Sequence, residues 1–235
     1  MTIHCVWEHN GGDSLVYASD LPGAFTRGAS GASALEKMKT EATAYLRWAG
    51  REIPADLSVS VIQETCSDLE IRDADSDVLF ETEKGPLRQE EYEALKELAL
   101  RSARDFLSLY QAVPDKRHCC LPARKTFYGQ RPRTASEMYT HTKSVNSYYF
   151  GEIGVAADNH GTIAECRARG FSLLEQQPDY LENTVFPGSY GEKWNLHKVL
   201  RRFLWHDRIH AKAMYRMAVA SFGPGSVPDP FRFEH

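Results

Sequence analysis

Three histidines stand at positions where their side chains can meet. His206 and His210 are four residues apart in a segment whose apolar residues recur in steps of three and four. On a helix they lie one turn apart, with Cβ atoms about 5–6 Å from each other. His141 occupies an inward position of a second segment with helical periodicity. Because buried imidazoles without partners are costly, whereas a divalent cation takes a lone pair from each, the sequence predicts a metal site formed by these three residues.

Three neutral nitrogen ligands suit a borderline cation, Zn²⁺ or Ni²⁺, and leave at least one position for water or substrate. Such an ion can lower the pKa of bound water to about 7 or hold a thiol as thiolate. Two side chains are candidates for substrate binding. Tyr148, nearest in register to His141, can donate its hydroxyl to a substrate, and Arg202, one turn before His206, can pair with an anionic ligand. The alternatives are core packing for the tyrosine and an ion pair between helices for the arginine.

The segment from His206 to His210 also resembles the HExxH motif, in which a glutamate activates metal-bound water. Here Asp207 replaces the glutamate and is one methylene shorter. We expect Asp207 and Arg208 on the solvated flank of the helix. A metallohydrolase needs a carboxylate within reach of the metal-bound water, and the sequence offers no clear candidate for it.

Four predicted helices position these residues. The hydrophobic period changes from two to about three and a half after the Gly85-Pro86 pair. The helices are expected over about 92–113, from Thr134 or Ser136 onward, over about 162–177, and from Asn195 to about 220. Four helices of this length imply an all-α four-helix bundle over residues 85–235.

Residues 1–84 have the pattern of a small α/β module. Segments rich in β-branched and aromatic residues predict strands at 3–8, 14–18 and 57–64, with a strand or turn at 21–26 and a further short strand at 78–80. An amphipathic helix is expected after Ser33, which can cap its start, and before Gly50, which ends it. The expected fold class is therefore an α+β N-terminal module plus an all-α four-helix bundle, in two domains, 1–84 and 85–235.

Composition and charge exclude several classes of protein. With 42% hydrophobic and 26% charged residues the chain is globular, and it has no apolar run of the roughly 18 residues that cross a bilayer and no visible signal peptide. Five cysteines without a CxxC pair suit a reducing compartment, so we expect a cytoplasmic protein without membrane contact.

Charge is divided unevenly along the chain. Residues 1–84 carry 7 Lys and Arg against 15 Asp and Glu, so no nucleic-acid partner is expected. Residues 116–133 carry six positive charges, which are either a solvated surface or a site that permits an anionic ligand.

Four stretches together resemble the DinB-like superfamily, which includes YfiT-like proteins and thiol-dependent transferases. They are Ser136-Glu137-Met138-Tyr139-Thr140-His141, Tyr148-Tyr149-Phe150, Trp194-Asn195-Leu196 and His206-Asp207-Arg208-Ile209-His210. The resemblance covers about residues 88–220. It implies a bundle of up-down-down-up connectivity with His141, His206 and His210 as metal ligands. It also implies a metal-dependent transfer or isomerisation of a small-molecule substrate that uses a low-molecular-weight thiol.

A fifth stretch resembles the HicB-like antitoxin fold over about residues 3–65. It runs through Asp20-Leu21-Pro22-Gly23-Ala24-Phe25-Thr26-Arg27-Gly28 and leads into Ala34-Leu35-Glu36-Lys37. Members of that family neutralise a small ribonuclease toxin. This resemblance supports a second hypothesis, a non-catalytic binding or stress-response protein in which the metal stabilises the fold and residues 1–84 dock a protein partner.

Overall fold

The N-terminal part of the chain forms a four-stranded sheet with one helix. The structure, a computed structural model, describes residues 1–67, 71, 78–126 and 129–233. The strands are β1 (Thr2–His9), β2 (Ser14–Ala18), β3 (Phe25–Gly28) and β4 (Ser58–Cys66), in the order β3-β2-β1-β4. β1 is antiparallel to β2 and parallel to β4, and α1 (Gly31–Ala49) makes the crossover between β3 and β4. Ser30, rather than the expected Ser33, caps α1, and Gly50 ends it in a left-handed conformation.

Both faces of this sheet are covered. Successive residues of a strand point to opposite faces. In β2, Val16 belongs to the large core that includes α1, whereas Leu15 and Tyr17 pack with Phe80 and Trp205 on the other side. Residues 78–80 form no strand, and much of the acidic stretch between 64 and 83 lies outside the described residues.

Four helices follow in the C-terminal part. They are α2 (Gln89–Ala112), α3 (Ala135–Gly151), α4 (Ile163–Leu174) and α5 (Leu196–Phe222). Thr134 and Thr162 cap α3 and α4 through capping boxes, and the Asn195 side chain accepts from the Lys198 backbone at the start of α5. α2 and α3 each contact α4 and α5. Within the described residues, none of the helices combines the length and hydropathy of a membrane span.

The predicted all-α four-helix bundle of residues 85–235 is wrong. Two short antiparallel strand pairs lie between its helices: β5 (Lys125–Thr126) with β6 (Gly129–Gln130), and β7 (Phe186–Pro187) with β8 (Lys193–Trp194). α5 also packs against the N-terminal sheet, where Trp205 joins the core beside Tyr17 and Phe25. The described residues therefore form an α+β fold with a helical C-terminal region. Hydrophobic periodicity indicates which face of a helix is buried, but it does not indicate which element packs against that face. A strand of two residues is too short to show any periodicity.

One hydrophobic core runs across the predicted domain boundary. It joins Ile3 and Met38 to Phe106, Leu200 and Met214. The division at residue 84 stays a prediction.

Several charged side chains of α5 are buried with an oppositely charged partner, namely Lys198, Arg201, Asp207 and Arg208. Asp207 accepts from both terminal nitrogens of Arg167 at 3.2 Å. Arg208 donates to Glu41 of α1 at 2.7 Å. The expectation that Asp207 and Arg208 lie on a solvated flank is wrong, because both are buried where α5 packs against α2 and α3 and, through Arg208, against α1. Removing one partner of such a pair would leave an uncompensated buried charge.

Candidate metal centre

The structure brings His141, His206 and His210 together. His141 is on α3, and the other two are one turn apart on α5. The ring centroids are 4.9 Å apart for His141 and His206, 4.8 Å for His141 and His210, and 4.5 Å for His206 and His210. The contact between α3 and α5 brings His141 to the other two rings, whereas the four-residue spacing within α5 sets the distance between His206 and His210.

The distances between nitrogen atoms fit a shared cation. The Nε2 atoms of His141 and His206 are 3.2 Å apart, and one ligand atom from each of the three residues lies within 4.8 Å of the others. Two nitrogens held at 2.0–2.1 Å with a tetrahedral angle are about 3.3–3.4 Å apart. A hydrogen bond between two neutral rings would have a similar distance, so this geometry permits a metal without requiring one.

The surroundings of His206 and His210 favour neutral imidazoles. His206 is 1% exposed, His210 is half-buried and His141 lies at the solvent side. Burial, followed by the neighbouring His210, His141 and Arg202, holds the pKa of His206 well below its usual range. Burial also lowers the pKa of His210, with help from His141, Arg131 and Arg27. Neutral rings are the form that binds a metal.

One feature weakens the site as a metal centre. Metal-bound histidines usually donate their second ring nitrogen to a nearby acceptor, which fixes the ring. The Nδ1 atom of His206 is buried and has no hydrogen-bond partner among the described residues. We therefore expect a lower metal affinity than in sites that have this outer contact.

The three histidines line a cavity of about 540 Å³, which we call the histidine cavity. Tyr148 and Tyr149 of α3 and Arg202 of α5 form part of its wall. The rest comes from distant parts of the chain, including Arg27 at the end of β3, Arg124 and Arg131 around the β5–β6 hairpin, and Tyr190 and Glu192 between β7 and β8. A cavity of this size accommodates a small molecule.

Both residues predicted to bind substrate line this cavity. Tyr148 packs edge-on against Trp194, with ring centroids 5.9 Å apart. Burial, then the charges of Glu152 and Glu192, raise the pKa of the Tyr148 hydroxyl, and a hydrogen bond to the Glu152 carboxylate raises it further, so the hydroxyl stays protonated.

Arg202 is buried, and its guanidinium donates to the Tyr149 hydroxyl at 3.3 Å and lies 4.9 Å from the Trp205 ring. These contacts tie the guanidinium to aromatic side chains of α3 and α5, so its position in the wall is defined. Whether it binds an anionic ligand stays a prediction.

Several residues of the cavity were missed by sequence reasoning. Glu192 lines the cavity, and its carboxylate accepts from Lys198 at 3.1 Å. Arg27 comes from the N-terminal module, about 180 residues before His206 along the chain. No spacing in the sequence indicates that segments so far apart line one cavity. The positive charge of residues 116–133 was nevertheless compatible with an anionic ligand.

Comparison of the chain with protein-family models, with curated proteins and with solved structures gave no match. The resemblances to the DinB-like and HicB-like families therefore stay predictions that rest on the quoted residues.

Proposed function

We propose that the protein is a divalent-metal-dependent transferase or isomerase acting on a small molecule, with His141, His206 and His210 as ligands of Zn²⁺ or Ni²⁺. The observation that supports this most strongly is the convergence of three imidazoles from two helices on the wall of one cavity. When bound, the ion would lower the pKa of a coordinated water or low-molecular-weight thiol and so supply a nucleophile for an electrophilic substrate.

The protein's own residues orient the substrate. The protonated Tyr148 hydroxyl can donate to a substrate oxygen in exchange for its contact with Glu152, and Arg202 places a positive charge in the same wall. The aromatic rings of Tyr149 and Trp194 hold these two side chains in place. Positioning of this kind lowers the entropy cost of bringing nucleophile and electrophile together.

All five cysteines are free thiols, which supports our proposal that the protein works in a reducing compartment, the cytoplasm.

The proposal is tested on protein purified without a histidine tag. We expect about one bound ion per chain and turnover of an electrophilic substrate that depends on both metal and added thiol. His206→Ala should lose the ion and the turnover together, since it removes the most buried ligand. The control is His160→Ala, because the His160 side chain is 93% exposed and lies outside the site. Unchanged thiol-dependent turnover in His206→Ala would refute the proposal.

A second candidate function is protein binding through residues 1–84. The observation that favours it is β4, a strand at the edge of the sheet on which Val61 and Ile62 are 38% and 46% exposed. Exposed apolar residues on a sheet edge are a surface for another chain. A partner that the full-length protein captures and the Ile62→Lys variant does not would support this role. Equal capture by the two proteins would contradict it.

A further inference from the structure

A second cavity lies beside the histidine cavity, between the N-terminal module and α5. It has a volume of about 830 Å³, and we call it the basic cavity. Its wall combines residues of β3 and α1, residues of α5, and the connecting segment 121–133. Six residues, among them Arg27, Arg124 and Arg131, line both cavities, so the two spaces share a wall.

The charge of the basic cavity is strongly positive. Seven Lys and Arg side chains line it, and Glu41 is the one carboxylate among its described lining residues. Glu41 is already engaged, because it accepts from Arg208 at 2.7 Å and from Lys212 at 3.0 Å. A concave surface with this excess of positive charge concentrates anions.

The same excess reaches the three histidines. Arg27 and Arg131 line the histidine cavity together with His210. A divalent cation on three neutral ligands would add two further positive charges, and Glu192 is the one carboxylate among the described residues that line the histidine cavity. Among the described residues that line the two cavities, positive charge therefore exceeds negative charge, which favours an anionic ligand.

We propose that the basic cavity binds the anionic part of a small molecule that carries at least two carboxylate or phosphate groups, and that the other end of this molecule reaches the three histidines past the shared arginines. The planar guanidinium fork suits both groups, since it donates two parallel hydrogen bonds to either. The anion site depends on the basic cavity alone. Only the assignment of this anion as the substrate depends on the proposed function.

The test is a calorimetric titration of metal-free protein at low salt with two probes, citrate and pyrophosphate. The variant is Arg131→Gln, chosen because Arg131 is exposed and lines both cavities, so its replacement leaves the core intact. The matched control is Arg117→Gln, which removes the same charge from an exposed position of the same connecting segment outside both cavities. A second variant, Arg216→Gln, alters the α5 side of the basic cavity.

We expect at least one probe to bind, with affinity at least about tenfold lower in Arg131→Gln, which corresponds to about 1.4 kcal/mol, and unchanged in Arg117→Gln. Arg216→Gln should also weaken binding, and the probe that binds more tightly identifies the anionic group. No binding of either probe, or equal loss in Arg131→Gln and Arg117→Gln, would overturn the proposal. Because the titration uses metal-free protein, anion binding would stand even if His206→Ala retained turnover and the proposed function failed.

Discussion

Replacement of Glu41 by glutamine should destabilise the contact between α1 and α5. The Glu41 carboxylate bonds to Arg208 and to Lys212, and all three groups lie at the junction between the N-terminal module and the helix that carries His206 and His210. Glutamine keeps the size of the side chain but removes its charge. The variant therefore leaves two positive charges without their carboxylate.

The magnitude depends on how far each cation can reach water. The Lys212 side chain is 27% exposed and can be hydrated, whereas the Arg208 side chain is fully buried. Removing one partner of a buried pair costs about 3–5 kcal/mol. The rings of Tyr45 and Trp48, 5.0 and 5.3 Å from the Arg208 guanidinium, offset part of that cost. We therefore expect a loss of about 3 kcal/mol, or a fall in Tm of about 6–12 °C for a chain of this length.

Urea unfolding followed by circular dichroism measures this loss. The matched control is Glu36→Gln, which removes an exposed carboxylate from the same helix and should change stability by less than about 0.5 kcal/mol. Adding Arg208→Met to Glu41→Gln should recover much of the loss, since the unpaired guanidinium is then gone. Equal effects of Glu41→Gln and Glu36→Gln would refute the claim that this ion pair is buried.

Three further outcomes are expected. Burial alone would raise the pKa of Glu41, but Arg208 and Lys212 hold it below its usual value of 4.5, so this carboxylate stabilises the fold above about pH 4.5. That contribution should disappear as the pH falls through the folded-state pKa, and urea midpoints that do not fall between pH 5 and pH 3 would contradict it. Gly170→Ala should lower the free energy of unfolding by about 1–3 kcal/mol, because a Cβ there would lie 2.1 Å from the Phe150 ring. Gly151→Ala is the control, since a Cβ at that position has open space and should leave the free energy of unfolding unchanged in the same urea assay. Tyr148→Phe should lower turnover about tenfold with unchanged metal content, and equal turnover would show that its hydroxyl does not contact the substrate.

The part of the site that could be predicted from the sequence is the part that local rules determine. A spacing of four places His206 and His210 on one side of a helix whatever surrounds it. The inward position expected for His141 is wrong, because the buried side of α3 carries Met138, Thr142, Asn146 and Tyr149 whereas His141 is exposed. The four-residue spacing and the cap Asn195, which marks the start of α5, were predicted correctly. These features depend only on residues within a few helical turns of one another.

The rest depends on contacts between distant segments. Asp207 and Arg208 carry charge and so resemble surface residues, but the partners that allow their burial, Arg167 and Glu41, lie on other helices. Arg27 belongs to a β-strand and reaches the histidines only because the sheet packs on α5. The two-residue strand pairs, which overturn the all-α expectation, likewise have no local pattern.

The proposed function depends on three imidazoles that share one cation. X-ray absorption spectroscopy of the zinc-loaded protein tests this arrangement, because imidazole rings give a characteristic scattering pattern and sulfur ligands lie at a longer distance. We expect three nitrogen ligands at about 2.0–2.1 Å that are lost in His206→Ala. Failure to bind zinc, or a sulfur ligand at about 2.3 Å that persists in His206→Ala, would contradict it.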